Sequence, residues 1–175
     1  IGNFKREVPI VASAMDSVVD VKTAVELSKL GALGVINMEG IQTRYENPDE
    51  ILNQIATVGK NDFVPLMQEI YSEPIKKELI LQRINEVKEA GGIAAFSGTP
   101  QAAIKFQETL NKSAIDLFFL QGTVVSTEHI GMEGKKTLDI KNLCESMKVP
   151  VIAGNCVTYE VAKLLMQAGV AGLMV

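Results

Sequence analysis

Polar side chains follow several short apolar stretches of this chain, and their types suit the binding of a polar ligand. Each apolar stretch is typical of a buried strand. A hydroxyl such as that of Ser13 can bond a phosphate or sugar oxygen, and an amide such as that of Asn155 both donates and accepts. The segments of this kind are 13–16 (SAMD), 37–40 (NMEG), 97–99 (SGT), 121–123 (QGT) and 154–155 (GN). The pattern predicts a site assembled from the ends of several strands.

The elements that position these residues are clearest near the end of the chain. Residues 149–153 form an apolar run without alternation, typical of a strand covered on both faces. Thr158 can cap the helix that follows, and Gly169 lies where a helix C-terminus favours positive φ. Residues 170–175 are again almost wholly apolar. This order predicts a βαβ unit with parallel strands.

The same alternation of strand and helix runs through the whole chain and predicts an α/β fold. We predict a TIM (β/α)8 barrel, here a truncated portion with about six strands and five helices, in which residues 1–175 are the N-terminal part of a single domain. An open doubly wound sheet is the alternative, but no Gly-x-Gly-x-x-Gly follows the first strand at residues 9–13. Residues 60–72 are the least regular and are predicted to be a loop.

Composition and charge limit the classes of protein and partner. The chain of 175 residues is 47% hydrophobic and carries a net charge of −4, which argues against nucleic acid or an anionic membrane as a partner. Its two cysteines are too few for a disulfide framework, and no apolar run approaches the ~20 residues of a membrane span. We expect a cytoplasmic protein. A start on Ile1 and a stop at the end of a predicted strand suggest a piece of something longer.

Taken together, the strand-end segments resemble the IMP dehydrogenase/GMP reductase family. The matching stretches are residues 9–18 (PIVASAMDSV), 31–36 (GALGVI) and 152–158 (IAGNCVT). Residues 37–48 and 121–129 look like the IMP-dehydrogenase-related branch of that family. The likeness covers nearly the whole chain in order, so it does not depend on a single short motif.

The resemblance implies a barrel oxidoreductase that acts on purine nucleotides. Family members oxidise IMP to XMP with NAD, or reduce GMP to IMP with NADPH, after a cysteine attacks purine C2. IMP oxidation with NAD, in guanine nucleotide biosynthesis, is the favoured reaction, with NADP as the alternative cofactor. The family also has a monovalent-cation site, which is not in this chain, and commonly forms homotetramers. Since only residues 60–72 stand where many relatives insert a pair of regulatory domains, we expect a form without them.

The resemblance assigns the substrate, a purine nucleoside monophosphate, to three residues. Ser13, Met15 and Asn155 match family positions that contact the nucleotide. The hydroxyl can bond a phosphate or ribose oxygen, the thioether can lie against the purine face, and the amide can bond a purine or ribose edge.

The resemblance also suggests where the cofactor binds. Gln121, Gly122 and Thr123 occupy the place where many relatives carry an aspartate and two serines for the nicotinamide ribose. A glutamine amide accepts ribose hydroxyls more weakly than a carboxylate does, so this departure leaves the cofactor identity and hydride transfer open.

Other polar residues have plainer interpretations. Asp16 is predicted to organise its turn. Glu39 and Arg44 are predicted to form a pair that buttresses the strand ends. His129, the single histidine, is predicted to lie in a surface loop.

The family's nucleophilic cysteine belongs to a Gly-Ser-x-Cys-Thr loop after the sixth strand, and this chain ends at Val175 before such a loop. Cys156 and Cys144 are predicted to be structural. We therefore expect no catalytic residue, no metal ligand and no turnover from this chain alone. The alternatives to an IMP dehydrogenase are a GMP reductase, a non-catalytic purine-nucleotide-binding or regulatory relative, and a different phosphate-binding barrel.

Overall fold

Strands and helices alternate along the chain, as the sequence predicts. The computed structural model describes residues 4–122, 128–129 and 138–175. The strands are β1 (Val11–Ala12), β2 (Leu33–Asn37), β3 (Ala95–Gly98), β4 (Leu117–Gln121), β5 (Glu128–His129), β6 (Leu138–Asp139), β7 (Val151–Gly154) and β8 (Gly172–Leu173). The helices are α1 (Val21–Lys29), α2 (Pro48–Thr57), α3 (Phe63–Ser72), α4 (Lys77–Glu89), α5 (Pro100–Lys112), α6 (Ile140–Ser146) and α7 (Tyr159–Gln167), with a 3-10 turn at Ile41–Thr43.

Six of these strands form one parallel sheet in the order β1-β2-β3-β4-β7-β8. The six strands occur in the sheet in the same order as along the chain, with β5 and β6 left out of it, so the strand order never reverses. This is the order of a (β/α)8 barrel, and the sheet curls into a half-barrel, which confirms the predicted fold over the doubly wound alternative. β5 and β6 form a separate antiparallel pair.

Successive side chains of the sheet point to opposite faces, and both faces are apolar. The inner face carries a buried cluster of Leu33, Val35, Ala95, Leu117, Phe119 and Ile152. The outer face packs against the helices in a larger cluster that includes Phe96, Phe106, Phe118, Ile80 and Ile84. Burial on both faces explains why the strands read as continuous apolar runs rather than alternating ones.

Several helix ends follow the signals read from the sequence. The side chains of Asp20 and Thr158 accept hydrogen bonds from the backbone amides three residues further on, at 2.7 and 3.3 Å. Gly31 and Gly169 adopt φ angles of 82° and 96° after α1 and α7, where a left-handed residue ends the helix. These local signals therefore set the ends of the helices.

Residues 60–72, predicted from the sequence to be a loop, are mostly helical. α3 occupies most of the segment, and its Ile70 is 3% exposed. Pro65 is compatible with this helix because it lies in the first turn, where a missing N–H costs no intrahelical hydrogen bond. Three helices, α2 to α4, thus connect β2 to β3, and the described chain has seven α-helices, so the predicted number of five is wrong.

The helices of the described residues are short. The longest, α4 and α5, contain 13 residues each, against about 20 for a membrane span. Within the described ranges, no helix has the length and apolar character needed to cross a membrane.

A buried arginine fixes the segment between β2 and α2. Arg83 of α4 is 6% exposed, and it donates to the backbone carbonyls of Gln42, Tyr45 and Glu46 at 3.0, 3.2 and 2.8 Å. Its Nη1 reaches both carboxylate oxygens of Glu86 at 2.9 Å. All five guanidinium N–H groups therefore have an acceptor, and the loop that follows β2 is attached to α4.

Replacing Arg83 should destabilise the fold. We expect Arg83→Lys to lower the free energy of unfolding by about 2 kcal/mol, because three ammonium donors cannot reproduce five bonds in a planar fork. Denaturant unfolding followed by circular dichroism measures this change. The control is Lys112→Met, which removes an ion pair whose side chains are 71% and 82% exposed and should have no measurable effect. Equal losses in the two variants would contradict the role of Arg83.

Candidate functional site

The carboxyl ends of the parallel strands meet along one edge of the sheet, here termed the rim. The rim comprises residues 13–16, 37–40, 97–99, 121–122 and 154–155. At its centre, Gln121 pairs in register with Gly154. The backbone amide of Gly122 donates to the Gly154 carbonyl at 2.9 Å, and the backbone amide of Asn155 donates to the Gly122 carbonyl at 3.2 Å. The backbone thus brings Asn155 together with the segment predicted to bind the cofactor.

Ser13 and Met15 reach the same edge from the first strand. β2 and β3 lie between β1 and β4, so the predicted substrate residues form two groups, one on either side of these strands. Ser13 is exposed and the Met15 side chain is 52% exposed. The Met15 amide donates to the Ser13 carbonyl at 2.8 Å, which makes a tight turn at this point.

Ser97, a strand-end residue for which the sequence predicts no particular role, is a buried polar group of this edge. Its side chain is 1% exposed, and its Oγ has no hydrogen-bond partner among the described residues. Ser97 pairs in register with Asn37 and Phe119, two positions after the inward-facing Ala95. The two-residue period was the available signal, because it places Ser97 on the inner face.

Residues that follow the second and third strands bond one another. The Glu39 carboxylate accepts hydrogen bonds from the Thr99 amide at 2.6 Å and the Thr99 hydroxyl at 3.1 Å. The Asn37 Oδ1 accepts from the Glu39 amide at 3.0 Å. Thr99 Oγ1 also accepts from the Ala102 amide at 3.3 Å and so caps α5. A carboxylate beside a helix N-terminus is electrostatically favourable, and these bonds stabilise the loops of the rim.

The side chains that are predicted to bind a ligand do not stabilise the rim through hydrogen bonds of this kind. Ser13 and Asn155 are exposed and Gln121 is half-buried. Within the described part of the chain, their polar side-chain groups form no hydrogen bond. With Ser97, four side chains at the rim therefore have donors and acceptors that a ligand could use.

Asp16 does more than organise its turn. Its Oδ2 accepts a hydrogen bond from the Tyr71 hydroxyl of α3 at 2.5 Å. Burial of Tyr71, together with this bond to the Asp16 carboxylate, raises the pKa of the hydroxyl above its usual 10.0. The carboxylate lies against the backbone of Gly40, where any side-chain carbon would overlap it. Asp16 thus connects the loop after β1 with α3 and with the loop after β2.

The predicted pair of Arg44 with the Glu39 carboxylate is wrong. Arg44 Nε donates to the backbone carbonyl of Glu39 at 3.0 Å, because the carboxylate is bonded to Thr99. The guanidinium also donates to the carbonyls of Tyr71, at 3.1 Å, and Glu73, and lies 5.5 Å from the centroid of the Tyr71 ring. Arg44 buttresses the rim through α3 instead.

Both cysteines belong to the helix side of the sheet. Cys156 is 1% exposed within the outer cluster, and Cys144 of α6 packs against the same cluster, in agreement with a structural role. Burial raises the pKa of the Cys144 thiol, the opposite of what a nucleophile requires. Thr123 lies outside the described residues. His129 lies in β5, so the prediction of a loop at this position is wrong, and only its backbone pairing is described.

A hollow on the surface of α7 is separate from the rim. Its lining residues are Tyr159, Ala162, Lys163, Met166 and Gln167. The hollow belongs to the helix layer and shares no residue with the rim, so it does not bear on the predicted chemistry.

Comparison with known proteins identifies the family. The sequence profile of the IMP dehydrogenase / GMP reductase domain matches residues 2–175. The chain belongs to this family. An uncharacterized oxidoreductase of Mycolicibacterium smegmatis is 32% identical to it over 177 residues, covering 98% of this chain and 47% of that protein. Inosine-5'-monophosphate dehydrogenase of Cryptosporidium parvum is 26% identical over 181 residues, covering 99% of this chain and 44% of that enzyme.

A relative of known structure in the IMP dehydrogenase/GMP reductase family has the same fold as this chain. The crystal structure of an IMP dehydrogenase/GMP reductase-like protein from Corynebacterium glutamicum superimposes with a TM-score of 0.88 at 29% identity. The match covers 98% of this chain and 46% of that one. The chain also spans about half the length of the curated relatives it matches.

The raised pKa of Tyr71 predicts a pH dependence of stability in this family member. Because the folded state retains the phenolic proton more tightly than the unfolded chain, the stabilisation is fully present below pH 10.0 and is lost as the pH rises further. Tyr71→Phe should be less stable at pH 8 but should lose stability less steeply above about pH 10. Denaturation midpoints from pH 8 to pH 11 measure this difference. Tyr159→Phe, at a 76% exposed tyrosine, is the control and should parallel the wild type.

Proposed function

We propose that this chain binds a purine nucleoside monophosphate at the rim, and that the site serves an oxidoreductase that converts IMP to XMP with NAD. The observation that carries the proposal is the set of polar side chains at the rim that form no hydrogen bond with the described residues: Ser13, Ser97, Gln121 and Asn155. Family membership and the oxidoreductase relatives support the type of reaction.

The domain organisation is part of this proposal. The 175 residues are the N-terminal part of a single (β/α)8 barrel, which the coverage of 46% of the solved relative supports. Helices α2, α3 and α4 occupy the interval between β2 and β3, which supports a form without a regulatory domain pair at that place.

The substrate contacts follow from the side-chain chemistry. The Ser13 hydroxyl bonds a phosphate or ribose oxygen, and the Met15 thioether, 52% exposed, lies against the purine face. The Asn155 amide donates to and accepts from a purine or ribose edge. Ser97 is a further group of this kind, deeper on the inner face. Its buried Oγ has no partner in the described chain and so suits a polar ligand atom or an ordered water.

The segment proposed to bind the cofactor, residues 121–123, offers neutral groups to a nicotinamide ribose. The Gln121 amide can accept from and donate to ribose hydroxyls, although more weakly than a carboxylate accepts. The backbone N–H and carbonyl of Gly122 already bond Gly154 and Asn155, so this residue serves by letting the backbone approach closely. The nicotinamide, when bound, supplies the hydride acceptor. NAD, with NADP as the alternative, is therefore compatible with the described residues.

The described residues bind and orient the substrate and do not attack it. The thiols of Cys144 and Cys156 pack on the outer side of the sheet, so we assign no nucleophile among the described residues. We expect no turnover from the 175-residue chain alone. Robust IMP oxidation by that chain would contradict this assignment.

A second candidate is a non-catalytic purine-nucleotide-binding or regulatory relative. The neutral Gln121, in place of the carboxylate of many dehydrogenases, favours it. The full-length gene product that contains this chain should therefore be assayed with IMP plus NAD and with GMP plus NADPH. Turnover in the first assay supports the proposed dehydrogenase, and turnover in the second alone supports a GMP reductase. Nucleotide binding without turnover in either supports the non-catalytic relative.

Removing a rim side chain should weaken nucleotide binding without destabilising the protein. In the full-length gene product, we expect Ser13→Ala and Asn155→Ala each to raise the Kd for IMP about ten-fold, because each removes one hydrogen bond worth about 1 kcal/mol or more. The thermal midpoint should stay unchanged, since neither side chain bonds the described protein. Isothermal titration calorimetry measures the affinity.

The matched control for Asn155→Ala is Asn85→Ala, which removes an exposed amide from α4 in the helix layer. This control should bind IMP like the wild type. Unchanged affinity in both rim variants, or an equal loss in Asn85→Ala, would rule out the proposed site.

A further inference from the structure

A tyrosine outside the rim is bonded to the segment that carries two of the proposed nucleotide contacts. Tyr71 lies in the last turn of α3, 55 positions along the chain from Asp16. Its hydroxyl donates to Asp16 Oδ2 at 2.5 Å. Residues 13–16 are here termed the β1 loop. Because Asp16 directly follows Met15, this bond attaches α3, one of the three helices between β2 and β3, to the β1 loop.

The Asp16 carboxylate depends on this bond. Its Oδ1 is buried and has no partner among the residues that the structure describes. The carboxylate also lies against Gly40, whose missing side chain makes room for it. A partly buried charge with one hydrogen-bond donor loses its compensation when that donor is removed. Without the Tyr71 hydroxyl, Asp16 should therefore move toward solvent and take the β1 loop with it.

Tyr71 is itself held by the loop after β2. The Arg44 guanidinium lies over the tyrosine ring, 5.5 Å from its centroid, and donates to the Tyr71 carbonyl at 3.1 Å. Arg44 also donates to the Glu39 carbonyl, and the Glu39 carboxylate bonds Thr99 after β3. The loops after the first three strands are thus connected through one continuous set of contacts that includes Tyr71.

We propose that Tyr71 is a positioning residue, which holds the β1 loop in the geometry that the nucleotide requires. The inference rests on the proposed function, in which Ser13 and Met15 contact the nucleotide. Tyr71 acts through Asp16 and does not touch the ligand. Helix α3 thereby contributes to the nucleotide affinity of a site that its own residues do not form.

Hydrogen exchange of the full-length gene product without ligand tests the first step. The Val18 and Val19 amides donate to the Met15 carbonyl at 2.9 and 3.0 Å and report on the β1 loop. In Tyr71→Phe, which retains the ring over Arg44, we expect these amides to exchange about ten-fold faster. The matched control is Tyr45→Phe, because the Tyr45 hydroxyl bonds the Ile70 carbonyl of the same helix at 2.9 Å. It should leave both amides unchanged.

Binding of IMP to the full-length gene product tests the second step. We expect Tyr71→Phe to raise the Kd about five- to ten-fold, because the lost hydrogen bond acts on the ligand only through the β1 loop and only part of its energy appears in binding. Asp16→Ala should have a similar effect, and the double variant should bind no worse than the weaker single variant, since both remove the same interaction. Tyr45→Phe should bind like the wild type, although it also loses a hydrogen bond.

The outcomes distinguish this inference from the function on which it rests. Unchanged exchange at Val18 and Val19 in Tyr71→Phe overturns the positioning role. Faster exchange with unchanged IMP affinity also overturns it if Ser13→Ala weakens binding. If Ser13→Ala leaves the affinity unchanged as well, the proposed nucleotide site fails and the positioning role fails with it.

Discussion

The six strands of the sheet pair in parallel and follow one another in chain order, and this pairing positions both the core and the rim. Because every strand of the sheet runs in the same direction, each carboxyl end reaches one edge, and the following loop begins there. The two-residue period then decides which side chains face inward. On the inner face, apolar residues such as Phe119 and Ile152 give way to Ser97 and Gln121 toward that edge. The apolar core and the proposed site thus occupy successive positions along the inner face of the sheet.

The loops of the rim need support of their own, because they lie beyond the sheet ladder. Arg83 supplies it from the helix layer by bonding the backbone after β2. Glu39 supplies it at the rim by joining the loop after β2 to the start of α5. The bond between Tyr71 and Asp16 does the same for the first loop. Arg83 and Glu39 each bond several acceptors or donors, and Asp16 bonds one donor, so a charged group favours one loop conformation over others at each place.

Polar residues at the rim divide into those that bond the protein and those that do not. Glu39, Thr99 and Asp16 have partners that stabilise the loops. The side chains of Ser13, Gln121 and Asn155 have no described partner and face a ligand in the proposed site. This division separates loop structure from recognition, so a rim side chain can change without loss of the fold. Both thiols lie on the other side of the sheet, so the proposed role of the described residues is to bind and orient the nucleotide.

Sequence patterns alone are enough to predict the parallel α/β architecture, the caps at Asp20 and Thr158, and the position of the polar segments. These features depend on residues within one or two turns of each other, so local patterns are sufficient to predict them. The folded structure was needed to show that residues 63–72 form a helix, that Arg44 bonds carbonyls instead of a carboxylate, and that the Ser97 hydroxyl is buried without a described partner. The contact between Tyr71 and Asp16 spans 55 positions, and no local pattern encodes it. Such contacts depend on how the helices pack on the sheet, and that packing exists only after the chain has folded.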